Sequence, residues 1–328
     1  MSLHRLQNRW VILPIIMVFP ALFVLTGGYA QWVTGYLYLF IIQGYASWLL
    51  FYKTGQPFYG YSATMALGAY TCVVLQRFID ASPFLGIFLG AFLSLLLAVT
   101  FYLAISRSRG FYTGMASFLL AILMPKLIEA LYPITGGRSG VQIDSLNRLL
   151  GSTHYFLMVV LLTAATVSFI VWLTKTKLGQ IWTLIAGNED LAQAVGLNTF
   201  YFKLLAYAIA GLVSGLGGAL YVHYASSISS VDINVFTSVS IFFIPLLGSK
   251  RSMYGPLIGA LFIVLFPELF SSIERYVEIL YGLSYILVMI FLPNGLIEDL
   301  GRLRKSLPYG NFIKNLRRSE SKPMLEDK

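Results

Sequence analysis

The sequence predicts an all-α membrane protein: a polytopic helical bundle of about ten transmembrane segments, with both termini cytoplasmic. Three observations carry that prediction. Of 328 residues, 57% are hydrophobic and 11% charged, against roughly 25% charged in an ordinary soluble chain. The apolar residues gather into stretches of about 20, the length a helix needs to cross a bilayer core. The loops between them are rich and poor in basic residues by turns, and cytoplasmic loops are the ones that collect cations.

The ten candidate spans are residues 10–27, 32–52, 61–79, 84–105, 113–132, 155–174, 203–223, 235–248, 253–272 and 277–292. The eighth is short for a perpendicular crossing, which points to a tilted, broken or re-entrant helix. With the N-terminus inside, 18 basic residues fall on the cytoplasmic side and only Arg77, Arg138, Arg148 and Arg275 fall outside. Leaving out the C-terminal tail, the bias is still 10 to 4. Residues 1–300 therefore form one transmembrane domain, with its longest internal cytoplasmic loop at 175–203. Residues 301–328 form a basic, partly disordered tail that anchors the topology.

The first span has features of a signal peptide, because Arg5 and Arg9 precede it and Gly28-Tyr29-Ala30 has a small-x-small form. Its length, and the second span that follows almost at once, favour retention. The net charge of +9 is spread along membrane edges. That distribution suits anionic lipid headgroups rather than nucleic acid. Cys72 is the single cysteine, so no internal disulfide forms. His4, His154 and His223 are too far apart for a zinc-type spacing.

Few charges lie within the spans. Lys126 and Glu129 are three apart after Pro125, on one helix face where they can pair. Glu268 follows Pro267. Each has two readings, a local pair at a span end or a polar lining for a translocation path. By polarity within spans, the pathway candidates are Gln56, Thr113, Ser117, Lys126 and Glu129. There is no Walker A pattern, no potassium-channel filter, no nucleophile elbow and no His-Glu-x-x-His helix. The chain shows no catalytic residues, no metal ligands and no cofactor site of its own.

Two stretches stand out. In the seventh span Gly211/Gly215 and Ser214/Gly218 are small-xxx-small pairs, which let helices approach closely. They serve internal packing or a subunit interface. In the 175–203 loop, Asn188 is a candidate N-cap, with Glu189 and Asp190 in the first turn and Gly196 as terminator. Leu191, Ala192 and Val195 share an apolar face. Such a helix docks a soluble partner or lies at the membrane interface.

That loop, with Gly179, Asn188, Glu189, Ala192, Gly196, Asn198 and Lys203, resembles the permease subunits of bacterial branched-chain amino acid ABC importers. The similarity extends to Gly55-Gln56-Pro57 through Gly68-Ala69-Tyr70, and to Arg109-Gly110-Phe111-Tyr112. It continues at Thr135-Gly136-Gly137 through Gly140, at Tyr254-Gly255-Pro256, and at Leu292-Pro293-Asn294-Gly295. It covers about residues 30–300. The chain departs from the family pattern at Ala186-Gly187, Ala116-Ser117 and Ser249–Ser252.

The resemblance implies a permease that moves branched-chain amino acids, or urea and short amides, across the bacterial inner membrane by alternating access. It implies a second permease subunit, two cytoplasmic ABC ATPases that bind the ATP and magnesium, and an extracytoplasmic solute-binding protein. Gly179, Asn188, Glu189, Ala192 and Gly196 are then the ATPase-coupling residues, and Thr135, Gly136 and Gly137 face the binding protein. A secondary carrier working without an ATPase is the alternative from another class.

Topology is testable by labelling. In a Cys72→Ala background, Arg148→Cys is expected to react with a membrane-impermeant maleimide added outside cells. Asn188→Cys is expected to react only after permeabilisation.

Overall fold

The computed structural model describes residues 28–108, 110–249, 252–269, 277–291 and 295–299. The candidate first span at 10–27 and the basic tail at 301–328 lie outside the described residues, as do Arg109, Lys250, Arg251 and Arg275. Nearly everything described is helical. In chain order the elements are α1 (Tyr29–Trp48, continued by a π-helical turn, Leu49–Lys53), α2 (Tyr61–Ile79), α3 (Pro83–Ile105), α4 (Phe111–Ala130), α5 (Tyr132–Thr135), β1 (Val141–Gln142) and α6 (Leu146–Leu150). They continue with α7 (Ser152–Lys175), α8 (Lys177–Gly187), α9 (Glu189–Ala194), α10 (Thr199–Ala225), β2 (Ser227–Ile228), α11 (Val235–Gly248), α12 (Gly255–Leu269) and α13 (Val277–Phe291).

Every predicted span that falls in the described region is a helix. Five of these are long and apolar enough to cross a membrane: Tyr29–Lys53, Pro83–Ile105, Phe111–Ala130, Ser152–Lys175 and Thr199–Ala225. α11 has 14 residues and is about 21 Å long, shorter than a hydrocarbon core of about 30 Å.

The helix ends have local causes. Thr54 Oγ1 donates to Leu50 O at 2.6 Å, and Gly55 turns with φ +68°. Pro57 follows, and the chain runs without regular structure from 55 to 60 before α2. α3 opens with Pro83 in its first turn, where a missing N–H is harmless. The fifth span ends two residues early. After Ala130 the chain breaks and re-forms as α5, which stops at Gly136 in the left-handed region.

α10 is the central post. It packs along α2, α3 and α1, and it does so through small residues. A Cβ at Gly215 would collide with Ser94 of α3, and one at Gly218 with the Met65 carbonyl of α2. A Cβ at Gly211 would strike Ala98. The partners supply glycine in return: Gly68 of α2 faces the Gly215 carbonyl. Backbones this close gain dispersion contact, which in lipid replaces the hydrophobic driving force.

A buried polar cluster locks the same level. Gln43 Nε2 donates to Ser214 O at 3.0 Å, and Ser214 Oγ returns a hydrogen bond to Gln43 Oε1 at 2.8 Å. Thr64 Oγ1 and Ser214 Oγ are 2.7 Å apart, and Ser94 Oγ donates to Thr64 O at 2.8 Å. Four helices thus share one satisfied network.

β1 and β2 form a two-residue antiparallel bridge, Val141 opposite Ile228 and Gln142 opposite Ser227. The sequence reading did not include it. It joins the loops before α6 and before α11, which the charge pattern places on one side. Two residues per strand leave no hydrophobic periodicity to read.

Filling the seam is expected to be costly. Gly215→Val would overpack it by about 1–3 kcal/mol. The protein should lose monodispersity on size-exclusion chromatography and melt earlier in detergent, whereas Gly282→Ala, whose added Cβ meets nothing within 4 Å, should not.

Candidate functional site

The 175–203 loop is two short helices braced against the root of α10. α8 turns directly off α7, and Gly179 permits this because a Cβ there would run into the Thr174 backbone. Trp182 is fully buried and donates from Nε1 to Phe202 O at 2.8 Å. Gly55, after the π-helical turn of α1, brings its backbone against Ala186, where an added Cβ would lie 3.0 Å from the Ala186 Cα.

Asn188 caps α9, its Oδ1 accepting from Leu191 N at 3.0 Å. Ala192 is fully buried. Gly196 ends the helix at φ +84°, and Leu197 N donates back to Ala192 O at 3.1 Å. This is the C-terminal turn that glycine makes without strain.

Glu189 then meets Lys203. Glu189 Oε1 and Lys203 Nζ are 2.6 Å apart, with side-chain exposures of 23% and 6%. Gln193 Nε2 adds a 2.9 Å hydrogen bond to Thr199 Oγ1. α9 is therefore fastened to α10 by an ion pair largely shielded from solvent. Breaking one side of such a pair strands a buried charge at a cost of about 3–5 kcal/mol. Outside these anchors, α8 and α9 expose Leu184, Leu191 and Val195.

Sequence reasoning named Glu189 as a site residue but did not give Lys203 a role. The available signal was a lysine at the start of an apolar helix, where an unpaired cation is disfavoured.

The five pathway candidates do not form one path. Gln56 and Thr113 line a small polar cavity of about 130 Å³ together with Glu189, Gln193 and Lys203. Ser117 is buried: it accepts from Tyr59 N at 2.9 Å and donates to Gly114 O at 2.8 Å, holding α4 to the irregular 55–60 segment. Lys126 and Glu129 sit toward the other end of α4, about 20 and 24 Å from Thr113 at 1.5 Å per residue. Glu129 binds Lys126 at 3.1 Å and Arg138 at 3.2 Å and accepts from Ser230 Oγ at 3.3 Å. The Lys126 side chain is 71% exposed.

Thr135, Gly136 and Gly137 are part of this same end. Thr135 is buried and donates from Oγ1 to Ile128 O at 2.6 Å. Gly137 N donates to Thr135 Oγ1 at 3.2 Å, and its carbonyl accepts from Ser230 N at 3.1 Å. Thr135 and Gly137 shape the loop from within. The exposed residues there are Tyr132, Pro133, Arg138 and Ser139. Gly211, Ser214, Gly215 and Gly218 all lie in the internal α10 seam described above.

A bundle with five helices long and apolar enough to cross a membrane has the form of a multi-pass membrane protein. Residues 33–292 match the family described as branched-chain amino acid transport system / permease component, and the chain belongs to that family. It is a transporter membrane subunit, not an enzyme.

It is similar to the high-affinity branched-chain amino acid transport system permease protein LivM of Salmonella typhimurium, 22% identical over 287 residues, covering 79% of this chain and 68% of LivM. LivM of Escherichia coli gives the same figures. The ribose import permease protein RbsC of Haemophilus influenzae is 27% identical over 129 residues, 37% of this chain and 40% of that protein. No solved structure matches.

The ion pair can be tested on stability alone. Lys203→Met, which leaves Glu189 unpaired, should lower the thermal midpoint in detergent more than the Glu189→Gln/Lys203→Met double variant does. The coupling energy from this cycle is expected to be about 1–3 kcal/mol.

Proposed function

We propose that this chain carries branched-chain amino acids across the bacterial inner membrane as one half of an ABC importer's permease pair. It crosses ten times with both termini in the cytoplasm. Its companions are a second permease subunit, two cytoplasmic ABC ATPases that hold ATP and magnesium, and an extracytoplasmic solute-binding protein. Family membership and the extent of the LivM match support the amino acid class over the ribose class, which is matched over a shorter part of the chain.

The observation that carries the mechanism is the Glu189–Lys203 pair. α8 and α9 present an apolar, exposed surface for a soluble partner. The pair ties that surface to α10, which is seamed to α2 and α3. A push delivered at Leu184, Leu191 and Val195 reaches the centre of the bundle through bonds that do not slip. Closure of the ATPases on ATP then tilts the bundle from inward-open to outward-open, and release of nucleotide returns it. Solute passes by a weakly binding route, since the binding protein has already selected it.

Proteoliposomes containing the full complex test this. Glu189→Lys places two cations together, so ATP hydrolysis should continue while leucine uptake falls about tenfold or more, in line with the loss of a buried pair. Adding Lys203→Glu should restore much of the uptake. Unchanged uptake in the single variant, or uptake by the permease without ATPase subunits, would overturn the reading.

A further inference from the structure

Between α1, α11, α12 and α13 lies a groove of about 480 Å³, within the size range of small-ligand sites. The solute pathway and coupling surface described above do not include it. Trp32, Tyr36 and Phe40 line it at four-residue intervals, so it runs about 12 Å along α1.

The Trp32 end of the groove lies at the end of the bundle that carries the β1–β2 bridge. Tyr224, at the end of α10 and just before β2, donates to Gln31 O at 2.9 Å. Tyr29 stacks on Trp32 at 6.2 Å, and the Trp32 and Tyr36 rings meet tilted at 4.6 Å. Such rings collect where headgroups meet hydrocarbon.

Several polar groups in the groove already have partners. Ser240 pairs with Tyr285 at 3.2 Å and Tyr36 with Tyr221 at 3.1 Å. The Asn234 amide caps α11 through Thr237 N at 2.8 Å and donates to Val231 O at 3.0 Å. Glu268 differs. One of its oxygens accepts from the Tyr29 phenol, and among the described residues no cation pairs with it.

A carboxylate in an apolar helix calls for a cationic partner, and aromatic faces beside it attract an ammonium further. Among the described residues that line the groove there is no cation to receive a ligand's carboxylate. Its chemistry fits an ammonium attached to hydrocarbon better than a small free zwitterion.

We propose that the groove binds a membrane phospholipid with a primary ammonium headgroup. The ammonium sits on Glu268 beside the Trp32 ring, the phosphate stays in the headgroup layer, and one acyl chain lies along Phe40. The proposal depends on the chain being embedded in lipid and not on which solute it carries.

The test uses the complete complex in vesicles, with spin-labelled phosphatidylethanolamine or phosphatidylglycerol as the probe. Electron spin resonance reads the motionally restricted fraction. The wild-type protein should prefer phosphatidylethanolamine, and Glu268→Gln should cut that preference about threefold to tenfold, the scale of a desolvated cation–π and ion-pair contact. Gly282→Leu fills the groove where an added Cβ meets nothing within 4 Å, so it should reduce restriction of both lipids with the carboxylate intact. Equal restriction of the two lipids by the wild type would overturn the proposal, as would no change in either variant. Displacement of the restricted lipid by millimolar leucine would assign the groove to the solute instead.

Discussion

The close approach of α10 to α2 and α3 is the constraint on which the remaining structure depends. In lipid, apolar side chains gain little by leaving their surroundings, so helices need another reason to stay together. Here it is backbone proximity, made possible by Gly68, Gly211, Gly215 and Gly218, reinforced by one hydrogen-bonded cluster. Gln43, Thr64, Ser94 and Ser214 come from four helices and satisfy one another. A buried amide left unpaired costs about 1–3 kcal/mol, so the cluster also specifies how the helices are registered along one another.

That rigid centre gives the two ends of the bundle their separate characters. At one end α8 and α9 are bolted on by Trp182, the Glu189–Lys203 pair and the close approach of Gly55 to Ala186. Displacing either helix must move α10 or break a shielded ion pair. At the other end the loops are fastened to each other through the β1–β2 bridge and the Glu129 cluster. A stiff post between two firmly attached surfaces suits the alternating access proposed above. The post transmits displacement, while the less enclosed helices around it have room to rearrange. α4 is mostly exposed along its length and is the least constrained of the long helices.

Much of this was legible before any coordinates. The spans could be read because a bilayer imposes a length and a composition on whatever crosses it. Asn188, Glu189 and Gly196 could be read as a cap, a first turn and a stop, because capping is local chemistry. The pathway candidates fared differently. Gln56, Thr113, Ser117, Lys126 and Glu129 share polarity, but polarity within a span does not report depth or partner. Ser117 proved to be a bracket for the irregular 55–60 segment, and Glu129 the centre of an ion cluster at the far end of α4. Thr135 and Gly137, expected at a docking surface, are buried inside the loop they shape. Lys203 was visible as an odd cation in an apolar helix, yet its partner lies fourteen residues back across a turn.

From the sequence alone came the membrane class, the helices of the described spans and the cap and stop of the 175–203 loop. Each follows from short-range rules: hydropathy over one helix length and hydrogen bonding within one turn. Tertiary structure alone decided which polar groups meet: Glu189 with Lys203, Gln43 with Ser214, Glu129 with Arg138, and the two strands of the small bridge. Those pairings depend on how distant helices are rotated and registered against each other. That geometry is set by close packing across the whole bundle, and no local window of sequence contains it.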